Sequence, residues 1–212
     1  MGWKGTTAER PLSGFSHGAA GIAYALLELA SATHDARYRK LAEQALAYER
    51  ALFVPERANW RDLREPERGA PESASTGFMV SWCHGAPGIA LGRLRSLRHL
   101  DDTRMRAELE TALTTTLREG FGGGHCLCHG DLGNLESLLV AGEVLGESRW
   151  SHAALERAAH VLHHGRERGF LCGLPRGTET PGLMMGLAGI GYGLLRLWSP
   201  ERVPSVLSLA MP

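Results

Sequence analysis

Apolar residues spaced three and four apart run through most of this chain, the period of helices that bury one face. "AAGIAYALLELASAT" from Ala19 and "ARYRKLAEQALAYERAL" from Ala36 predict one helix pair. Leu91, Leu94 and Leu97 begin a second apolar stripe, and "MRAELETALTTTLRE" predicts its partner helix. "NLESLLVAGEVLG" followed by "WSHAALERAAHVLHHGRE" predicts a third pair. No segment alternates convincingly as a strand would, so the pattern predicts a nearly all-helical chain.

The pattern also repeats. "SHGAAGIAYALLEL" from Ser16, "CHGAPGIALGRLRSL" from Cys83, "CHGDLGNLESLLVA" from Cys128 and "MGLAGIGYGLLRLW" from Met185 each read Gly-x-x-Gly and then a helical stripe. The first glycines are Gly18, Gly85, Gly130 and Gly186, at intervals of 67, 45 and 56 residues. Such intervals fit two helices plus loops, which makes each repeat one helical hairpin. Glycines at a helix start permit unusual backbone angles and close approach of neighbouring chain, an architectural role. "VPERANWRDLREPERGAPESASTG" and "GLPRGTETPG" read as loops between hairpins, and no stretch reads as a domain linker.

Composition narrows the class. The chain has 212 residues, 43% hydrophobic and 22% charged, enough for one sizeable core. Lys+Arg and Asp+Glu are both 23, so no basic excess points to nucleic acid. No apolar run is long enough to span a bilayer. "MGWKGTTAERPLSG" lacks the apolar core of a signal peptide and offers only a weak lipidation signal at Gly2. A cytoplasmic location is expected, where the four cysteines would be reduced or metal-bound.

The residue before each first glycine carries the chemistry: His17, His84, His129 and then Met185. If equivalent loops meet at one end of a ring, three histidines approach a common centre. Cys83 and Cys128 precede His84 and His129 at matching points of adjacent repeats. Two thiolates and one imidazole, Cys83, Cys128 and His129, make a zinc donor set with a fourth position open. The competing readings are plainer. Cys126 and Cys128 are one residue apart, so no redox Cys-x-x-Cys is present. Cys126 and Cys172 read as buried small hydrophobes, with Cys126 also a substitute ligand or a bystander near a metal. His84, His125, His163 and His164 read as solvated or outer-shell groups.

These residues resemble the LanC-like lanthionine cyclase family over most of the chain. "SWCHGAPGIALGRL" and "CLCHGDLGNLESLL" look like its two zinc motifs, "GFSHGAAGIAYALLELA" like its histidine motif and "TPGLMMGLAGIGYGLLRL" like its terminal motif. The wording is nearest to the C-terminal cyclase domain of the bifunctional class II lanthipeptide synthetases, which carry a dehydratase domain upstream. The resemblance implies an all-α fold, an α/α toroid of helical hairpins, present here as a partial ring of about four over residues 1–212. It implies zinc held by Cys83, Cys128 and His129, and His17 as the histidine of proton transfer. Where some relatives have an arginine before the first zinc cysteine, this chain has Met79. The family's active-site aspartate lies in an earlier half that has no counterpart here. Residues 1–212 are therefore expected to be a C-terminal part of the domain, as a fragment of a longer synthetase, a truncated gene or a reduced relative, and a partial ring would expose apolar faces that promote association.

The implied reaction adds a cysteine thiol of a dehydrated precursor peptide to the β-carbon of dehydroalanine or dehydrobutyrine, closing a thioether ring. A free thiol with a pKa of about 8.5 is little ionised at neutral pH, and zinc coordination deprotonates it. The enolate that follows needs a proton, which His17 could supply; the plainer role for His17 is to cap its loop. Expected partners are the dehydrated peptide and either an upstream dehydratase domain or the missing N-terminal half of the ring. Two other functions are weighed against this one. A non-catalytic zinc- or peptide-binding remnant is consistent with the missing half. A glycosidase on the same fold needs two carboxylates across a cleft, and the motif loops hold only Asp131.

Overall fold

The structure, a computed structural model, describes residues 2–4, 10–64 and 77–209. The chain divides into two compact units, Met1–Thr115 and Thr116–Pro212. The segment 65–76 of the first inter-hairpin loop lies outside the described residues.

In the first unit, α1 (Ala19–Thr33) and α2 (Ala36–Arg50) form the first hairpin. His34 takes a left-handed backbone with φ of 56° to end α1, and the Asp35 side chain accepts from the Arg37 amide to start α2. α1 buries Ala19, Ala20, Ala23 and Leu27, mostly alanines, so its neighbours approach closely. α2 buries Ala42, Ala45, Leu46 and, on the same stripe, Glu49. α3 (Ala86–Ser96) packs on α1, and Gly92 lies against Ala20. α4 (Thr103–Glu119) follows, and the Asp102 carboxylate accepts from the Met105 amide at its start.

One small element escapes the sequence pattern. β1 (Phe53–Val54) and β2 (Asn59–Trp60) pair antiparallel, Phe53 opposite Trp60 and Val54 opposite Asn59, around a 3₁₀ turn at Pro55–Arg57. Strands of two residues are too short to leave a visible alternation.

The second unit holds the end of α4, then α5 (Asp131–Leu145), α6 (Ser148–Arg168) and α7 (Leu187–Trp198). Gly146, at φ of 67°, ends α5 and lets α6 fold back on it. α6 buries Trp150, Ala154, Ala158, Val161 and Gly165, one stripe at helical spacing. α7 packs on α5. Among the described residues, α7 has no second helix after it; residues 199–209 form turns instead. The Tyr192 hydroxyl donates to the Pro204 carbonyl at 2.5 Å, and Arg196 donates to the carbonyls of Pro200 and Val203 while pairing with Glu136. The four repeats thus appear as three helix pairs and one single helix. Leu187, Leu195 and Trp198 of α7 are exposed, Trp198 by 77%. Among the described residues, no helix is long and apolar enough to cross a membrane.

Candidate functional site

The four motif loops share one construction. Gly18, Gly85, Gly130 and Gly186 are the N-caps of α1, α3, α5 and α7, and none of these helices has a side-chain cap. The orphan amides are met by the loop itself, which folds back over the helix start. Ala19 donates to Leu12 O, Asp131 to Gly124 O and Leu187 to Thr180 O, in each case seven residues back. In the α3 repeat, the Asn59 side chain replaces that carbonyl and accepts from the Ala86 amide at 3.1 Å. Asn59 also donates to Met79 O at 3.1 Å, which fastens the loop before Cys83 at both ends. The second glycines, Gly21, Gly88, Gly133 and Gly189, press on the carbonyls of Phe15, Trp82, Leu127 and Leu183, and a Cβ at any of them would overlap that oxygen. The architectural reading of the glycines is borne out.

In the first unit, this construction brings the histidine motif to the first cysteine motif. The amides of Phe15 and Ser16 donate to the Cys83 carbonyl at 3.2 and 3.3 Å. Gly14 has φ of +93°, and a Cβ there would lie 2.8 Å from His84 Cα. Cys83 is buried and His17 is exposed, with the His17 and His84 ring centroids 6.2 Å apart. The N-cap of α1 is Gly18, which has no side chain to offer as a cap. Of the two expectations for His84, solvated or outer-shell, the solvated one does not hold: it is 2% exposed, because the Ser13–Gly14 backbone closes over it. Burial, then the neighbouring Arg64 guanidinium, pulls its pKa below the ordinary imidazole value.

Behind this loop lies a chain of charges that the sequence reading missed. Glu49 Oε1 accepts from the Gly14 amide at 3.0 Å, and Oε2 pairs with Arg93 at 2.9 Å. Arg93 Nε also pairs with Glu108 at 2.9 Å, and Glu108 with Arg50 at 2.5 Å. The signal in the sequence was a carboxylate standing on the apolar stripe of α2.

In the second unit, Cys128 and His129 occupy the turn before α5 and are half-buried. The Cys128 amide donates to Met184 O at 2.8 Å and the Gly173 amide to Met185 O at 2.7 Å, so the segment before α7 supports the turn. His129 Nε2 lies 3.0 Å from the Gly173 carbonyl. A carbonyl only accepts, so in this contact Nε2 carries the proton. Cys126 and Cys172 are buried, as expected of small hydrophobes, and none of the four cysteines is in a disulfide. His125, expected to be solvated or outer-shell, is not solvated: it is 2% exposed and its Nδ1 accepts from the Leu171 amide at 2.8 Å. Burial, then the neighbouring His164, lowers its pKa. Asp131 accepts from the amides of Gly122 and Gly123, and burial raises its pKa.

The donor chemistry suits zinc: two thiols and an imidazole that a backbone carbonyl orients. Among the described residues, however, no three His, Cys, Asp or Glu side chains gather as a metal-holding group.

A family model described as lanthionine synthetase C-like protein matches residues 3–208. The chain belongs to the lanthionine synthetase C-like family. Among its relatives in sequence, this LanC-like chain is 28% identical over 197 residues to the lacticin 481/lactococcin biosynthesis protein LcnDR2 of Lactococcus lactis subsp. lactis, covering 87% of this chain and 20% of that protein. It is 27% identical over 198 residues to glutathione S-transferase LANCL1 of Danio rerio, covering 89% of this chain and 44% of that one. In structure it is similar to nisin cyclase, with a TM-score of 0.71 at 19% identity, over 93% of this chain and 49% of that chain. That likeness shows the fold, an all-α toroid fragment. The LanC-like chain spans less than half the length of each of these proteins.

Proposed function

We propose that residues 1–212 are a C-terminal part of a zinc-dependent lanthionine cyclase domain, acting in the cytoplasm on a dehydrated precursor peptide. The observation that carries the reading is the Cys83 carbonyl accepting from Phe15 and Ser16, which makes the histidine loop and the first cysteine loop one substructure. Family membership and the anchoring of His129 beside Cys128 by the Gly173 carbonyl support it.

Cys83, Cys128 and His129 would hold the zinc, whose chemistry when bound is to keep an incoming peptide thiol ionised at neutral pH. The chain's own residues supply the rest. The Gly173 carbonyl fixes the His129 tautomer. Addition of the peptide sulfur to the β-carbon of a dehydroalanine or dehydrobutyrine moves the alkene electron pair toward the neighbouring carbonyl. The α-carbon then takes a proton, and exposed His17 is placed to deliver it. The thioether product has the mass of its substrate, since one thiol is consumed and nothing leaves. An upstream dehydratase domain or the other half of the ring would act with this chain.

The test combines elemental analysis with alkylation of a dehydrated peptide that retains one cysteine. Expected are one zinc per chain, its loss in Cys83→Ala and Cys128→Ala, and disappearance of the alkylatable thiol without change of mass. His17→Asn should keep the zinc and slow thiol loss by about 100-fold. A zinc-loaded chain that leaves the thiol untouched would sink the catalytic reading. It would favour the non-catalytic zinc- or peptide-binding remnant.

A further inference from the structure

We propose that Glu49 is a positioning residue: from the last turn of α2 it fixes the Gly14 amide, and through Gly14 it sets where the His17 loop stands against the Cys83–His84 peptide. The proposal deepens the cyclase reading and rests on it for the consequence in turnover.

Glu49 is fully buried and lies 35 residues from Gly14 in sequence, yet its Oε1 accepts from the Gly14 amide at 3.0 Å. Gly14 is held at its other end too, where its carbonyl accepts from the amide of Ala20 at 3.1 Å. It is flush against the cysteine loop: a Cβ at Gly14 would lie 2.8 Å from His84 Cα and 2.9 Å from the Cys83 carbonyl. Any side chain is therefore excluded from that contact, and the φ of +93° excludes one again. The next two amides, of Phe15 and Ser16, are the ones that donate to Cys83 O. Moving Gly14 moves that pair of bonds and His17 after it.

The charges on Glu49 and its partners argue for placement over stability. Arg93 is 1% exposed and spans Glu49 and Glu108, while Arg50 and the more exposed Arg104 also pair with Glu108, so neither carboxylate lacks a cation. A buried ion pair is a poor stabiliser, because well-packed apolar residues of similar volume hold a core as well or better. What an apolar pair cannot provide is an acceptor at one defined point for a loop amide. The guanidinium of Arg93, fixed from α3, aims the carboxylate that does so.

Two charge-balanced double variants of the full chain separate placement from folding. Glu49→Leu with Arg93→Met removes the acceptor and leaves no buried charge alone; Glu49→Gln with Arg93→Met restores an acceptor. Each is measured for denaturant midpoint, hydrogen exchange of the Gly14 amide relative to amides of α5, and kcat and KM for thiol loss from the dehydrated peptide. The Leu/Met variant should keep a denaturant midpoint near that of the wild type. Its Gly14 amide should exchange at least about tenfold faster, and its kcat should fall at least about tenfold while KM stays within about twofold. The Gln/Met variant should recover both to within about threefold of wild type. Unchanged Gly14 protection and kcat in a folded Leu/Met variant would overturn the proposal, as would equal losses in both variants. Should Leu/Met not fold, the single Glu49→Gln chain decides: it keeps the acceptor, so loss of Gly14 protection there counts against the idea. A wild-type chain inactive on the peptide refutes the cyclase reading separately; the anchoring claim then stands or falls on Gly14 exchange alone.

Discussion

At the scale of single residues, His125 ties stability to pH. Its Nδ1 can accept from the Leu171 amide only while the ring is neutral, and burial with His164 alongside lowers its pKa below the 6.5 of an exposed imidazole. As pH falls through 6.5, the unfolded chain takes up a proton that the folded chain refuses, so stability is full above that value and declines below it. His84, lowered in the same direction, adds to the decline. Asp131 and Glu49, both raised by burial, have the opposite sign, since each favours the folded state at acid pH and loses that contribution as pH climbs. Urea midpoints taken at pH 7.5 and 5 should show a net loss at the lower pH. His125→Asn, whose side-chain carbonyl can stand where Nδ1 accepts, should flatten that slope; an unaltered slope would assign the acid loss to other groups. Much at this scale was readable beforehand. The histidines before three of the four first glycines stand out in the repeats, and His17 lies exposed beside the Cys83 loop. The burial of His84 and His125 was not readable, because it comes from backbone that lies tens of residues away in the chain. Glu49 left a trace, an acid among alanines, but its partner Gly14 was beyond any local pattern.

At the scale of elements, the loop-to-helix junctions are the rigid parts. Helix starts, hairpin turns and partner helices follow from periodicity and glycine spacing, and α1 to α7 fall where the stripes place them. The β1–β2 ladder, too short to alternate, did not show itself. The glycine pairs make a sharp prediction. Gly133 faces the Leu127 carbonyl so closely that a methyl group cannot enter without moving backbone on the turn that bears Cys128 and His129. Gly133→Ala should therefore destabilise the second unit by about 3 kcal/mol, read from thermal or urea unfolding. Gly191→Ala is the matched control. It lies in α7 with open space at its Cβ, so it should be neutral or stabilising by about 0.5 kcal/mol through helix propensity alone. Equal effects at the two positions would mean that the close approach at Gly133 is not a constraint.

At the scale of the whole molecule, family and fold are shown by residues 3–208 and by the likeness to nisin cyclase, while the chain accounts for 49% of that protein's length. The face of α7 with Leu187, Leu195 and Trp198 is apolar and open. The purified chain should associate as concentration rises, and Trp198→Glu should shift its light-scattering mass toward the monomer without altering its helix content. A monodisperse monomer at high concentration in the unsubstituted chain would show that this face is tolerated by water. The repeated glycine junctions have a wider consequence. Because carbonyls and bare α-carbons do the work of turning each loop into its helix, the side chain just ahead of the first glycine is not what makes that turn. Histidine occupies the position three times and methionine once on the same frame. Such a position can exchange its chemistry from one duplicate to the next while the frame stays unchanged, which is how a single hairpin, copied several times, comes to present unlike side chains from equivalent points.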